Sequence, residues 1–247
     1  DNTKDIFITN RSNSLAAGIS RDVKNDFSVD ENSTAGFQAL NFSQHGFEIS
    51  FTVNDVPVKL NTVGKHNMEN ALAAIAVASR VGVSLQTAAE ALAKYEGIYR
   101  RHQIIGEKDG VVVVDDYAHN PAKCAASIAA CQPVAPKVIA WFQPHGYKPT
   151  RFLRNDFVKE IAAALRPQDE IWMSEIFYAG GSAVKDISAG ELIEDIKKLG
   201  KNAFFVENRN NFVEAVRSHF TGNDVLLLMG ARDPGLEMFA KEVFDRL

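Results

Sequence analysis

The chain has 247 residues, a net charge of −4, and 46% hydrophobic against 23% charged residues. That composition excludes disorder, collagen and coiled coil as descriptions of the whole chain, and the acidic balance argues against a nucleic-acid partner, which calls for an excess of lysine and arginine. No apolar run approaches the ~20 residues of a bilayer-crossing helix, no signal-peptide pattern is recognised, and two cysteines make no disulfide framework. Cys124 and Cys131 are seven residues apart in a helical pattern, roughly 10 Å along the axis, and too far for a bridge. A cytoplasmic protein with no membrane partner is expected.

In chain order, residues 1–97 read as a mixed segment. Short strands are expected at 6–9, 34–42, 47–54 and 56–60. Turn signals at Gln44-His45-Gly46 and Asn54-Asp55 suggest an antiparallel meander. Helices follow at 67–81 and 85–95, joined by Gly82-Val83-Ser84. The first (MENALAAIAVASRV) is apolar nearly all round, so burial on most faces is expected. These few elements make a thin core for such a helix, and the chain opens at Asp1 rather than at methionine. The expectation is therefore a truncated chain whose residues 1–97 are the end of a larger domain.

From residue 98 the pattern becomes regular. Residues 103–106, the turn Lys108-Asp109-Gly110 and residues 111–115 read as a hairpin. Further β-branched or apolar strands are expected at 138–142, 170–174, 203–206 and 225–229. Helices are expected between and after them. One runs over 121–130, with Asn120 as N-cap and Pro121 at its first position. A second runs from a Thr150 cap to 165, and a third over 192–199 after the Ser188/Glu191 capping box, with Gly200 as C′ residue. The last two cover 210–220 and 234–247. The fold class is α/β: residues 98–247 form a Rossmann-like, doubly wound, mostly parallel sheet with one antiparallel edge strand.

Five segments could carry chemistry. Gly64-Lys65-His66-Asn67-Met68-Glu69-Asn70 opens a helix, where free N–H groups and side-chain amides suit a purine edge or phosphate; simple capping by Asn67 is the alternative. It is not a P-loop, a pattern the 247 residues do not contain. Asp115-Asp116-Tyr117-Ala118-His119-Asn120-Pro121 follows the first parallel strand, at the sheet edge where ligands bind. A capped helix start accounts for Asn120 and Pro121 but not for the acids, Tyr117 and His119 together. Phe142-Gln143-Pro144-His145-Gly146-Tyr147-Lys148-Pro149-Thr150-Arg151 falls on the same edge. There His145, Lys148 and Arg151 suit an anion, or else form a solvated turn. Arg100-Arg101-His102 offers phosphate ligands or a solvated linker. The turn Gly230-Ala231-Arg232-Asp233-Pro234 reads as turn chemistry. Glu175 and Tyr178-Ala179-Gly180-Gly181 complete the edge.

Taken together these segments resemble the Mur ligase family. The pattern G-x-H-N-x-x-N-A-L-A-A-I-A-V-A is matched by residues 64–78, R-R by Arg100-Arg101, D-D-Y-x-H-x-P by 115–121, and F-Q-P-H by 142–145. The resemblance implies an ATP-dependent amide ligase of peptidoglycan precursor synthesis. Such an enzyme activates a UDP-N-acetylmuramate-type acid as an acyl phosphate and joins it to an amino acid, here L-alanine. It implies that 1–97 is the end of the ATP-binding central domain and 98–247 the C-terminal domain. His66, Asn67 and Asn70 would contact adenine, Asp116 the ribose, and Arg101 the phosphates. Tyr117, His119 and His145 would be catalytic, facing the substrate, with Lys148 and Arg151 binding it. ATP and Mg2+ are the implied cofactors. The main magnesium ligands and the P-loop are expected outside these residues, so the chain alone is expected to be inactive. Alanine-adding members usually continue F-Q-P-H-R-Y-[ST]-R-T, whereas Gly146 and Pro149 stand here in place of the two arginines. Asn120 likewise stands in place of a second histidine. A divergent ligase with another amino acid or peptide, or a non-catalytic nucleotide- or peptide-binding module, are the competing readings.

Overall fold

The computed structural model describes residues 6–247, and its contacts divide the chain into two units, Asp1–Gly97 and Ile98–Leu247. In the first unit, a short helix α1 (Ser14–Ala17) precedes four strands and two longer helices. The strands are β1 (Phe27–Ser28), β2 (Phe37–His45), β3 (Glu48–Val53) and β4 (Val56–Leu60), and the helices are α2 (Lys65–Arg80) and α3 (Leu85–Ala93). The strands lie in chain order, β1 parallel to β2 and the rest antiparallel. Asn54 and Asp55, with φ of 46° and 68°, make the tight turn that joins β3 to β4. Alternation along β3 sends Ile49, Phe51 and Val53 inward, where α2 covers them with Met68, Leu72 and Ile75.

Two expectations for this unit are corrected, and two short elements appear that the sequence did not signal. The strand at 6–9 does not form: beside the two-residue β1, Phe27 N–H donates to the Thr9 carbonyl, and Asn10 makes one isolated bridge to Phe27. The α1 helix, capped by the Asn13 side chain, and β1 are both too short to leave a periodic signal. Helix α2 is not buried on most faces, since Asn70, Ala74 and Val77 (53%) are exposed along it.

The second unit is a six-stranded sheet ordered β5-β6-β10-β7-β8-β9. Its strands are β5 (Gln103–Lys108), β6 (Val111–Asp116), β7 (Lys137–Gln143), β8 (Glu170–Met173), β9 (Asn202–Phe205) and β10 (Asp224–Gly230). Only β5 is antiparallel, turned back through Asp109 and Gly110 at φ of 51° and 77°. The last strand in sequence, β10, sits at the centre, Leu227 facing Val114 on one side and Ala140 on the other. Strands buried on both faces need cover on both. Helices α4 (Pro121–Cys131), α6 (Arg154–Ala164) and α7 (Ala189–Lys198) pack in succession. The short α8 (Phe212–Val216), with 3-10 turns before and after it, and α9 (Leu236–Arg246) share a core with Ile139, Trp141, Trp172, Leu226 and Leu228.

Local capping chemistry sets these boundaries. Asn120 accepts from Lys123 N–H at the start of α4, Ser188 and Glu191 form the capping box of α7, and Gly200 follows its end at φ 75°. Thr150 is not a cap, and the single helix expected from 150 to 165 is two. A six-residue α5 (Tyr147–Phe152) starts at Gly146, whose φ of 74° ends the preceding loop, and Leu153 separates it from α6. Thr150 Oγ1 instead donates to the Gly146 carbonyl (2.8 Å). Cys124 and Cys131 lie buried in α4 as free thiols. Among the described residues no helix is long and apolar enough to cross a membrane.

Candidate functional site

The loops that follow β6, β7, β8 and β10 share the carboxyl edge of the sheet. At the end of β6, both carboxylates are buried. Asp115 is buried and accepts two hydrogen bonds from Arg100, from Nε at 2.8 Å and from Nη2 at 3.2 Å. Arg100 Nη2 also donates to the Gly230 carbonyl after β10 (3.1 Å), and the guanidinium lies 5.3 Å from the Tyr117 ring centre. Burial raises the Asp115 carboxyl above its ordinary range, against the lowering pull of Arg100. Asp116 is buried too and accepts from Ala118 N–H (2.8 Å) and His102 N–H (2.9 Å), beside the His102 ring. Each of its oxygens thus accepts one backbone hydrogen bond, and a carboxylate oxygen can accept a further donor.

Arg100-Arg101-His102 therefore does not act as one basic cluster. Arg100 and His102 take positive φ (53° and 46°) and turn inward, while Arg101 between them stays exposed. Its side chain has no hydrogen-bond or ion-pair partner among the described residues.

Tyr117, His119 and His145 come together. The His119 ring is 5.5 Å from Tyr117 and 5.8 Å from His145, centre to centre. His119 Nδ1 lies 2.8 Å from the Tyr117 carbonyl. A carbonyl only accepts, so neutral His119 carries its proton on Nδ1 and leaves Nε2 as a lone pair. Burial first, then the charges of His119 and Arg232, hold the His145 imidazole below its ordinary pKa. Gly146 N–H donates to the Phe177 carbonyl and Phe177 N–H to the Pro144 carbonyl (2.9 and 2.8 Å), tying the loops after β7 and β8 together.

The two cations beyond His145 differ. Arg151 pairs with Asp186, while Lys148 is exposed with no partner among the described residues. Gly146 and Pro149 form one local device: a Cβ at Gly146 would lie 3.1 Å from Pro149 Cγ, in a backbone already at φ 74°.

Two cavities open on this edge. One of about 450 Å3 is lined by Tyr99, Arg101, Tyr117, Arg232 and Glu237, among others. The other, about 660 Å3, is lined by Gln143, Glu175, Tyr178, Arg209 and Asp233, among others. Arg209 was not expected. It donates to Gln143 Oε1 (2.9 Å) and pairs with Asp233. Its place just past β9 was the one available sequence signal. Glu175 accepts from Ser188 Oγ (2.5 Å) and Ala189 N–H (3.1 Å) at the start of α7.

In the first unit, Gly64 rather than Asn67 is the N-cap of α2, at φ 86°. Asn67 Nδ2 folds back to Thr62 Oγ1 (2.9 Å) and the Val63 carbonyl (2.8 Å). His66 is half-buried and Asn70 exposed on the same first turns. Among the described residues no three His, Cys, Asp or Glu side chains are grouped to hold a metal.

A parallel sheet with one antiparallel edge strand, and a histidine pair beside exposed arginines at its carboxyl edge, defines an α/β unit of the Rossmann-like class. The family follows from comparison. Residues 100–232 match the model of the "Mur ligase, glutamate ligase domain" and residues 2–78 that of the "Mur ligase middle domain", so the chain belongs to the Mur ligase family. It is similar to the UDP-N-acetylmuramate–L-alanine ligase of Acidithiobacillus ferrooxidans, with 38% identity over 72% of this chain and 38% of that protein. The ligase of the same name from Thiobacillus denitrificans is 38% identical over 78% of this chain and 43% of its own length. The crystal structure of a UDP-N-acetylmuramate-alanine ligase from Thermotoga maritima superposes with a TM-score of 0.73 at 26% identity, over 97% of this chain and 50% of that one. The chain thus spans about two fifths of the length of these two relatives.

Proposed function

We propose that this chain serves an ATP-dependent carbon–nitrogen ligase of peptidoglycan precursor synthesis that joins L-alanine to the carboxyl group of UDP-N-acetylmuramate. ATP supplies a phosphoryl group that converts the carboxylate to an acyl phosphate. The alanine amine then attacks the acyl carbon and phosphate leaves. The observation that carries the reading is the pairing of His119 and His145 at the carboxyl edge, His119 with Nε2 free as a base. His119 takes the proton lost by the attacking amine, a role of about 10²–10⁴-fold in rate. His145, held below its ordinary pKa, is neutral at pH 7 and repels neither the amine nor that proton. Tyr117, fixed under Arg100, lines the site.

His66, Asn67 and Asn70 on α2 are the proposed adenine contacts, and Arg101 the phosphate contact. Asp116 is the proposed ribose contact, held in place by its two backbone donors. Lys148 is free to meet the substrate's charge, whereas Arg151 would first have to leave Asp186. Mg2+ would accompany the nucleotide with no ligand assigned from these residues. A cytoplasmic site of action follows from such soluble substrates.

The test is rescue of a bacterium depleted of its alanine-adding ligase by the complete gene that includes this chain, followed by phosphate release from that gene's full-length purified product with ATP, UDP-N-acetylmuramate and each amino acid, since the 247 residues contain no P-loop. Alanine-dependent release, lost on His119→Ala, is expected. Release with another amine would overturn the named substrate but not the family. No release with any amine would favour a binding module. The Gly146–Pro149 device favours one second reading, a divergent ligase with a different amino acid or peptide.

A further inference from the structure

The loop after β10 holds an arginine that its surroundings leave unexplained. Arg232 sits at φ 64°, a left-handed conformation that favours glycine and that a side chain adopts under strain. Its neighbours are fastened on both sides. Arg100 holds the Gly230 carbonyl, Ala231 is buried, and Asp233 is buried against Arg209 while accepting from Gly235 N–H (2.8 Å). Between these anchors the Arg232 side chain is exposed and has no hydrogen-bond or ion-pair partner among the described residues. It lines the cavity of about 450 Å3 together with Arg101, the other guanidinium without a partner. The remaining charged groups of that cavity are engaged: Arg100 by Asp115, Asp233 by Arg209, and Glu237 by the Tyr99 hydroxyl.

We propose that Arg232, beside the phosphate contact already proposed at Arg101, is a further substrate-binding residue that completes an oxyanion subsite for a phosphoryl or carboxylate group of the reactants. This rests on the ligase reading above and adds the group that fixes the substrate's anionic end. A guanidinium offers a planar fork of donors matched to such oxygens, which a lysine cannot reproduce. A rigid loop with one projecting arginine holds that fork without ordering the backbone at each binding event. The Arg232 charge already reaches His145 across the edge, in the direction of a lowered imidazole pKa. The subsite and the histidine pair thus lie within electrostatic reach of one another.

The test uses the chain itself, with Arg232→Gly, Arg232→Asn and Arg232→Lys. Both glycine and asparagine tolerate a left-handed backbone, so folding is retained. Binding of inorganic phosphate, ADP and L-lactate is followed by NMR of the arginine Nε–H groups. Saturable binding by the wild type is expected, weakened about 10- to 100-fold in the glycine and asparagine variants. The lysine variant should fall between. Removing the strained side chain should also raise the Tm of Arg232→Gly. A loss confined to phosphate and ADP assigns the subsite to a phosphoryl group, and a loss confined to lactate to a carboxylate. Affinities unchanged in both neutral variants, or no saturable binding by the wild type, would overturn the subsite. The two readings fail separately. Weakened anion binding by the variants, with no alanine-dependent phosphate release by the full-length product of the complete gene, removes the ligase and leaves the subsite, and the reverse result removes only the subsite.

Discussion

Replacing Arg100 with alanine should destabilise the second unit by about 3–5 kcal/mol at neutral pH, and by less in mild acid. The side chain makes two bonds to Asp115 and one to the Gly230 carbonyl. Asp115 is 3% exposed, so its charge finds no water once the partner is gone. Burial already raises this carboxyl, and Arg100 is the largest opposing influence. Without Arg100 it rises further and binds a proton. An acid raised on folding binds more protons folded than unfolded between its two pKa values. Its stabilising contribution is complete below the unfolded value of about 3.9 and is lost as pH climbs through the folded value. The variant should therefore lose more stability, relative to wild type, at about pH 8 than at about pH 5. Urea unfolding followed by tryptophan fluorescence reads this directly, because both tryptophans, Trp141 and Trp172, are buried in the second unit. Adding Asp115→Asn should recover part of the loss by removing the stranded charge. A cost under about 1 kcal/mol, or one equal at both pH values, would refute the argument.

Gly146→Ala should cost about 1–2 kcal/mol, because a Cβ there would sit in a left-handed backbone at φ 74° and crowd Pro149 Cγ at 3.1 Å; an unchanged Tm would show that the turn reforms without strain. Glu175→Gln should cost about 1 kcal/mol, since the carboxylate faces the start of α7 through Ser188 and Ala189. Exposed Glu194→Gln is the control, and equal losses would deny Glu175 that role. Arg232→Gly should move the His145 titration upward, towards its ordinary value, because one nearby positive charge is gone. The shift is read from the imidazole proton resonances, and no shift, or a downward one, would contradict it.

Much of the second unit was legible because its signals are local. The Asp109-Gly110 turn marks the β5 hairpin, Asn120-Pro121 marks the start of α4, and Ser188 with Glu191 marks α7. Tyr117, His119 and His145 were found by their place just past strands, and a parallel sheet brings such places together. The rest depends on distance in sequence. Nothing near Asp115 signals that Arg100 will neutralise it, and the Gly230 contact lies 130 residues from Arg100. That pairing turns what reads as an acidic, ligand-facing strand end into a closed internal network. The same reason hides Arg209, whose partners Gln143 and Asp233 come from two other loops. The break at Leu153 was missed because Thr150, a good capping residue, is spent inside a turn that Gly146 begins.

The central position of β10 has a consequence for the order in which the unit can be made. During synthesis β6 and β7 leave the ribosome with the strand that separates them still untranslated. At about 5–20 residues per second, the stretch between β7 and β10 takes roughly 4–16 s to appear. Until then β6 and β7 each present an open, apolar edge that no earlier strand can fill, apart from incorrect pairing with each other. The sheet closes in one late event, when Val225–Met229 slides between them and completes hydrogen bonding on both sides. A nascent chain of this protein therefore has most need of a chaperone shortly before its last strand emerges.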